Sequence, residues 1–391
     1  MELQSLQLEH FRSYPSLNLQ LGPGMHVFAG ANAQGKTNLL EAVYFAATGH
    51  SPRTNQESDM IAWDADIARV TGNYMSEIRG SFTVEASLGR KVSADGTRTG
   101  GVQKRIKVNG TPRQIADLSG LIPIVLFLVD DLEIIRGEPA RRRSFLDTDL
   151  AAMSRTYGWV LRQYTRVLDQ RNRLLKIIRD GEASIDDLLP WNDQMASFGG
   201  RLLEVRKRFV DDLNSVSVSV YQGLTNSPQG MTIGYRREWG DPDIPLATRD
   251  EFAAQLAQAL DATMTEEVRR GSSLVGPHRD DLSIHIDGKD VRQYGSQGEQ
   301  RTAALALRVA EFTLLHQLIG EPPVLLLDDI LSELDRTRRA ALLDHLAPVA
   351  QVIVTTTDVD AVGLPPHTHV QLYRVTQGMV EPLGPAPTET P

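Results

Sequence analysis

Residues 26–38 read His-Val-Phe-Ala-Gly-Ala-Asn-Ala-Gln-Gly-Lys-Thr-Asn, a short apolar run, a glycine-bounded turn and then helix-forming sequence. That order is strand, loop, helix, and it restricts the chain to folds in which a strand delivers a tight loop to a helix N-terminus. Gly30 to Thr37 fits G-x-x-x-x-G-K-[ST], the Walker A pattern. Gly30 and Gly35 let the backbone turn sharply. The N–H groups of Ala31, Asn32, Ala33, Gln34 and Gly35, with Asn38 just beyond, can then converge on phosphate oxygens. Lys36 is expected against the β- and γ-phosphates, where its charge serves binding and catalysis, and Thr37 as a ligand of Mg²⁺. An accidental match is expected in about one chain of this length per hundred.

A second feature supports ATP as the ligand. Pro323 precedes Val324-Leu325-Leu326-Leu327-Asp328-Asp329, an apolar run ending in two carboxylates, as in a Walker B strand. Asp328 is expected to hold the metal, and Asp329 to orient or activate the attacking water. Alone, the run reads equally well as a buried strand ending in a turn. Paired with Walker A it predicts a Mg-ATP site.

Composition narrows the setting. The 391 residues, 41% apolar and 23% charged, suffice for two or three packed domains. No apolar run reaches the roughly 18 residues needed to span a bilayer, and the first residues lack the basic and apolar regions of a signal peptide. No membrane association and a cytoplasmic location are therefore expected. The absence of cysteine excludes disulfides and thiolate metal sites.

With a net charge of −9, any contact with DNA must use a local basic patch. Residues 88–113 carry seven basic residues, among them Lys104, Arg105 and Lys107, against one acid, Asp95. Residues 136–179 carry eleven against four. Either could be no more than a solvated face.

Alternating apolar residues predict strands in the first 21 residues and at 67–73, 80–88 and 103–108, the last closed by the hairpin pair Asn109-Gly110. Residues 121–129 read as a buried strand, with Pro123 arguing against a central place in its sheet. From 157 to 178 the apolar residues share one helical face, although Arg171 falls among them, while Arg155, Arg162, Arg166 and Arg173 lie opposite. Trp191, Met195, Phe198, Leu202, Val205 and Phe209 follow a 4, 3, 4, 3, 4 spacing, the seam of a second helix whose end is blurred by alternating Val216, Val218 and Val220. Strands are expected near 231–235, 282–286 and 351–354, and helices at 251–269 and from about 297 to 319.

Several motifs in fixed order resemble the RecF family of SMC-like ABC ATPases. They are Phe11-Arg12-Ser13-Tyr14, the run from Gly30 to Glu41, Ser51-Pro52-Arg53-Thr54, Arg141-Arg142-Arg143, the run from Gly276 to Leu282, Ser296-Gln297-Gly298-Glu299, and Asp328 to Asp335. The resemblance implies an α/β fold: an ABC-type P-loop ATPase head of two lobes, mixed sheets with helices, carrying an inserted, mainly helical arm. On that basis the head takes residues 1–137 and 271–375, the arm 138–270, and a disordered tail 376–391.

Site roles follow from the same resemblance. Ser296 and Gly298 match the ABC signature that meets the γ-phosphate bound by an opposite subunit, which implies an ATP-dependent homodimer. Arg12 and Ser13 match a segment near the α-phosphate and base, and Ser332 to Asp335 the D-loop. Ser296 with Glu299 also reads as a helix capping box. The family's work implies double-stranded and gapped DNA as partners, together with RecO and RecR in loading RecA. Lys104, Arg105, Lys107, Arg162 and Arg166 are the candidate DNA contacts.

Two departures stand out. Asp329 replaces the usual glutamate, which implies slow hydrolysis. No glutamine occurs in 126–132 and no histidine in 355–358, so the usual Q-loop and switch positions are unassigned. The competing reading is a nucleotide kinase or GTPase-like switch unrelated to DNA. An N-K-x-D base-reading loop, which a GTPase would want, is absent.

Overall fold

The computed structural model describes residues 1–92, 98–240, 245–346, 349–358 and 369–385. In chain order the first elements are β1 (Glu2–Phe11), β2 (Tyr14–Gln20), β3 (Met25–Ala29), α1 (Lys36–Thr48), β4 (Ile67–Ser76), β5 (Gly80–Val92), β6 (Arg98–Val108), β7 (Thr111–Arg113) and β8 (Ile124–Leu128). The helical stretch follows with α2 (Leu132–Arg136), α3 (Pro139–Met153), α4 (Arg155–Arg179), α5 (Leu189–Thr225), β9 (Met231–Arg236) and α6 (Arg249–Arg270). Next come β10 (Asp281–Ile286), β11 (Lys289–Asp290), α7 (Val291–Tyr294) and α8 (Gln297–Ile319). The chain closes with β12 (Val324–Asp328), α9 (Arg336–Leu346), β13 (Val352–Thr356), β14 (Val370–Thr376) and β15 (Met379–Pro385).

Two compact units result: residues 1–131 with 223–225 and 311–391, and residues 132–222 with 226–310. By packing, therefore, residues 271–310 group with the helical segment.

The first unit holds two six-stranded sheets, ordered β2-β1-β4-β5-β6-β7 and β15-β14-β3-β13-β12-β8. In the second of these, β14, β3, β13, β12 and β8 are mutually parallel, and β15 pairs antiparallel with β14. Its central strands are buried along nearly their whole length and mostly apolar, with Asp328 and the Thr355-Thr356 pair at their C-terminal ends, because both faces are covered. β8 is an edge strand, as Pro123 suggests, and the Pro123 carbonyl accepts from the Val324 N–H at 3.0 Å. In the other sheet alternation along β1, broken by a register shift between Leu3 and Ser5, buries Leu6 and Leu8 in one apolar cluster with Leu39, Val43 and Phe45 of α1. Asn109 and Gly110 both take positive φ, 49° and 74°, as a two-residue β6–β7 turn requires.

Two expectations change, and one irregularity in the apolar pattern is explained. α5 runs unbroken past the Val216–Val220 alternation, with the intervening Ser217 buried and its hydroxyl oxygen 2.9 Å from the carbonyl oxygens of Asn214 and Met231, either of which can accept its single proton. Residues 379–385 are not a disordered tail but the strand β15, paired from Thr376↔Met379 onward. Residues 386–391 of that predicted tail lie outside the described residues. Arg171, on the apolar face of α4, is fully buried, and its guanidinium meets Glu267 at 2.6 Å, Ser273 at 2.7 Å and Asn192 at 2.8 Å. Its charge is matched by a buried partner, so the apolar periodicity survives the intrusion.

Among described helices, α8 alone has the length and hydropathy to cross a bilayer, and 67% of that window is buried in the fold, as in the core helix of a globular protein.

Candidate nucleotide-binding site

β3 ends at Ala29, and the chain turns through Gly30 to Gly35 into α1. Both glycines are required. A Cβ at Gly30 would lie 2.4 Å from the Val375 carbonyl oxygen, and one at Gly35, where φ is 107°, would lie 2.8 Å from Ser13 Oγ. The loop is braced from both termini of the chain. Tyr14 donates its buried hydroxyl to the Gly35 carbonyl at 3.0 Å, while the β14–β15 turn donates from Gln377 N to Gln34 Oε1 at 2.8 Å and from Gly378 N to Gln34 O at 3.1 Å. Sequence reading missed this second brace because a hairpin near the C-terminus carries no phosphate-loop pattern.

Lys36 is buried and donates to the carbonyls of Gly30 at 2.6 Å and Ala31 at 2.8 Å. Burial pushes its ammonium below the ordinary lysine value, and the carboxylates of Asp329 and then Asp328 oppose that shift. Thr37 Oγ1 donates to Asp328 Oδ1 at 3.0 Å. The pairing of Thr355 with Asp328 across β13 and β12 brings a second hydroxyl to the same oxygen, at 2.7 Å. Asp329 follows in the left-handed region at φ 55°, and its Oδ1 is buried with no hydrogen-bond partner. The predicted Walker A and Walker B residues thus meet at the C-terminal ends of parallel strands, where open α/β sheets bind ligands.

Asn38 donates to Ser13 Oγ at 2.9 Å and accepts from Arg53 at 3.0 Å. Arg12 is engaged inward: its guanidinium forms a fork with the buried carboxylate of Glu41, at 2.7 and 2.9 Å, and reaches the Asp59 carbonyl at 2.8 Å. Glu41 also accepts from Ser51 Oγ at 2.5 Å. Three motif segments of the sequence, 11–14, 30–41 and 51–54, are therefore tied together by one buried carboxylate on α1.

Ser296 and Gly298 lie in the second unit, at the start of α8. Ser296 Oγ and N both donate to Glu299 Oε2, at 2.7 and 2.8 Å, and Glu299 N returns to Ser296 Oγ at 3.3 Å, a complete capping box. These bonds from Ser296 hold the Glu299 carboxyl below its ordinary value. Capping leaves the helix N-terminus a site of positive potential.

The basic patches fare differently. The two-residue period of β6 sends Lys104 to the core side and Arg105 and Lys107 to the other. Lys104 is 7% exposed, paired with Glu57 and donating to the Gly49 carbonyl at 2.7 Å, so the three residues do not form one surface. Lys107 is 43% exposed and meets Glu85 at 3.0 Å, while Arg105 is exposed. Asp95 and the Arg98 side chain lie outside the described residues. On α4, Arg162, Arg166 and Arg173 are exposed along one face and line a groove of about 440 Å³.

A phosphate loop fed by a parallel strand, with a paired carboxylate strand and a capped serine helix in the second unit, is the architecture of an ABC-type ATPase head. The chain matches the RecF/RecN/SMC N terminal domain across residues 2–381 and belongs to that family. The protein named DNA replication and repair protein RecF of Heliobacterium modesticaldum is 37% identical over 383 residues, 97% of this chain and 99% of that protein. The protein of the same name from Staphylococcus aureus (strain JH9) is 36% identical over 385 residues, 97% and 100% of the two chains. A solved structure of the recombination mediator protein RecF-ATPrS in the RecFOR pathway superposes with a TM-score of 0.85 at 30% identity, over 98% of each chain. An Smc head bound to the C-winged helix domain of ScpA shares the fold, with a TM-score of 0.54 at 16% identity over 98% of each chain.

Proposed function

We propose that this chain is a DNA replication and repair ATPase of the RecF type. It binds ATP with Mg²⁺, dimerises in the ATP-bound state, engages double-stranded or gapped DNA, hydrolyses ATP slowly, and works with RecO and RecR in loading RecA. The carrying observation is the contact of Thr37 with Asp328, which joins the phosphate loop to the carboxylate strand. The donors fit Mg²⁺: one hydroxyl and one carboxylate, hard oxygens that leave the remaining positions to phosphate and water. Among the described residues no cluster of three or more acidic, histidine or cysteine side chains offers an all-protein metal cage. The relatives named above, including the RecF structures solved with ATP and ATPrS, support the reading.

Within it, the loop N–H groups from Gly30 to Thr37 and Lys36 bind the triphosphate, Thr37 and Asp328 hold the metal, and Asp329 orients the attacking water. The metal would neutralise charge on the β- and γ-phosphates. Arg12 acts through Glu41 to position Asn38, Ser13 and the base side of the loop. We assign residues 1–137 and 271–385 to the ATPase head and 138–270 to the arm, with 271–310 the part of the head that packs with the arm residues. Ser296 and Gly298 meet the γ-phosphate of a second copy, so that ATP drives association by its greater affinity for the dimer. Arg105, Lys107, Arg162 and Arg166 are the DNA contacts, and Lys104 is withdrawn from that set.

Sedimentation with and without ATP, Mg²⁺ and gapped DNA tests the scheme. Lys36→Met should lose ATP binding and every later step. Ser296→Arg should bind ATP as a monomer and fail to dimerise. Unchanged ATP affinity in the first variant refutes the site, and an ATP-induced dimer in the second refutes the shared site.

A further inference from the structure

The usual switch position at the end of β13 has no histidine, yet this strand end is the part of the site most tightly bonded to the carboxylates. Thr355 is fully buried. Its Oγ1 lies 2.7 Å from Asp328 Oδ1 and 3.4 Å from the Leu327 carbonyl oxygen, so its single proton goes to the carboxylate. A lone pair of the same oxygen accepts from the Asp329 N–H at 3.1 Å, and the Thr355 carbonyl accepts from that N–H as well, at 3.2 Å. One hydroxyl therefore bonds the side chain of Asp328 and the backbone of Asp329.

Both bonds act on geometry that an ATPase needs. Asp328 Oδ1 receives two hydroxyls, from Thr37 on the phosphate loop and from Thr355 on β13. When Thr37 turns its oxygen to a metal, Thr355 is the donor that still holds the carboxylate in its rotamer. Asp329 departs from the strand at φ 55°, a conformation that costs an L-residue energy and persists only where neighbours enforce it. The two acceptors on Thr355 enforce it, and so set the direction in which the Asp329 carboxylate leaves the strand. Thr356 supplies no alternative, because its hydroxyl is closed into a turn with Asp358, at 2.8 Å to the carbonyl and 3.1 Å from the N–H.

We propose that Thr355 is the positioning residue of this site, fixing the metal-side carboxylate through its proton and the water-side carboxylate through its lone pair. The proposal rests on the ATPase reading above and adds to it a residue that does the work of orientation from the neighbouring strand.

The test compares Thr355→Val, which keeps the shape and removes the hydroxyl, with Thr355→Ser, which keeps the hydroxyl. Fluorescent-ATP binding is measured with EDTA and across a Mg²⁺ titration, and steady-state hydrolysis at saturating Mg-ATP. Thr355→Val should bind ATP in EDTA within about twofold of the parent, the phosphate loop being untouched. Its gain of ATP affinity on adding Mg²⁺ should fall about tenfold, and kcat by about tenfold or more with little change in KM, the scale of one charge-assisted hydrogen bond. Thr355→Ser should restore both to within about threefold. A Val variant with the parental Mg²⁺ response and kcat overturns the proposal, as does a Ser variant as impaired as Val, since packing of the methyl would then be the cause. If Thr355→Val does not fold, Thr355→Cys replaces it: a weak thiol donor must fall below Ser, and equality of the two overturns the proposal. Should the parent hydrolyse no more ATP than Lys36→Met, the ATPase reading fails, while the Mg²⁺ response of binding still decides the role of Thr355.

Discussion

Replacing Asp329 with asparagine separates the jobs of two adjacent carboxylates. The backbone at this position is left-handed, φ 55° and ψ 16°, a region that asparagine enters as readily as aspartate. The substitution is nearly isosteric, and Asp329 Oδ1 has no hydrogen-bond partner to lose. Asparagine keeps two polar side-chain atoms and removes only the charge, along with its attraction to Lys36, so stability should stay within about 1 kcal/mol of the parent. Metal support is untouched, because Thr37 and Thr355 bond Asp328. Lys36 loses the stronger of its two carboxylate neighbours but keeps the other. ATP and Mg²⁺ binding should persist, while loss of a group that orients or deprotonates water should slow hydrolysis about 10²- to 10⁴-fold, roughly 3 to 5.5 kcal/mol on the barrier. Single-turnover hydrolysis of radiolabelled ATP, with sedimentation in the same buffer, should show an ATP-bound dimer that outlives the parental one. Loss of Mg-ATP binding would refute this assignment and make Asp329 the metal-side carboxylate. Unaltered hydrolysis would remove it from the chemistry.

Three further outcomes are expected. Arg171→Leu strands the buried Glu267 carboxylate and should destabilise the second unit by roughly 3 to 5 kcal/mol in urea unfolding, with Arg171→Leu combined with Glu267→Leu recovering part of the loss; a change under 1 kcal/mol in the single variant would show that the pair is not held in the folded state. In that unit burial raises Asp280 to about 6, against the pull of Tyr235 and Arg206, and lowers His278 to about 3. Asp280 thus adds stability below the ordinary carboxylate value that is lost as pH rises through about 6, whereas His278 adds stability above the ordinary imidazole value that is lost as pH falls towards 3. The two oppose between about pH 4 and 6, so His278→Asn should make the unit less stable with rising pH there, by at most about 1.4 kcal/mol per pH unit, and Asp280→Asn should reverse the slope; parallel profiles in the two variants would refute the opposition. Finally, Arg162→Glu with Arg166→Glu should flatten the salt dependence of duplex binding by about 0.9 in log–log slope for each DNA phosphate that is no longer neutralised, as should Arg105→Glu with Lys107→Glu, and an unchanged slope removes that pair from the DNA surface.

The candidate nucleotide site was legible in the sequence because its residues are local. Gly30, Gly35, Lys36 and Thr37 act through a single turn, and a strand ending in Asp328-Asp329 declares itself by its apolar run and its carboxylates. Amphipathic periods likewise predicted α4 and α5, and Asn109-Gly110 its hairpin, since each rests on neighbours within a few residues. What lay beyond reach depends on residues far apart in the chain. Arg171 reads as an error in an apolar face until Glu267 arrives beside it, and Lys104 reads as surface charge until strand register turns it inward to Glu57. Thr355 and the 377–378 turn join the site only because β13 and β14 flank β3. Spacing along a chain encodes the period of a helix or strand; which strand lies next to which is decided by how the sheets bury their faces, and that placed the hydroxyl on the carboxylates.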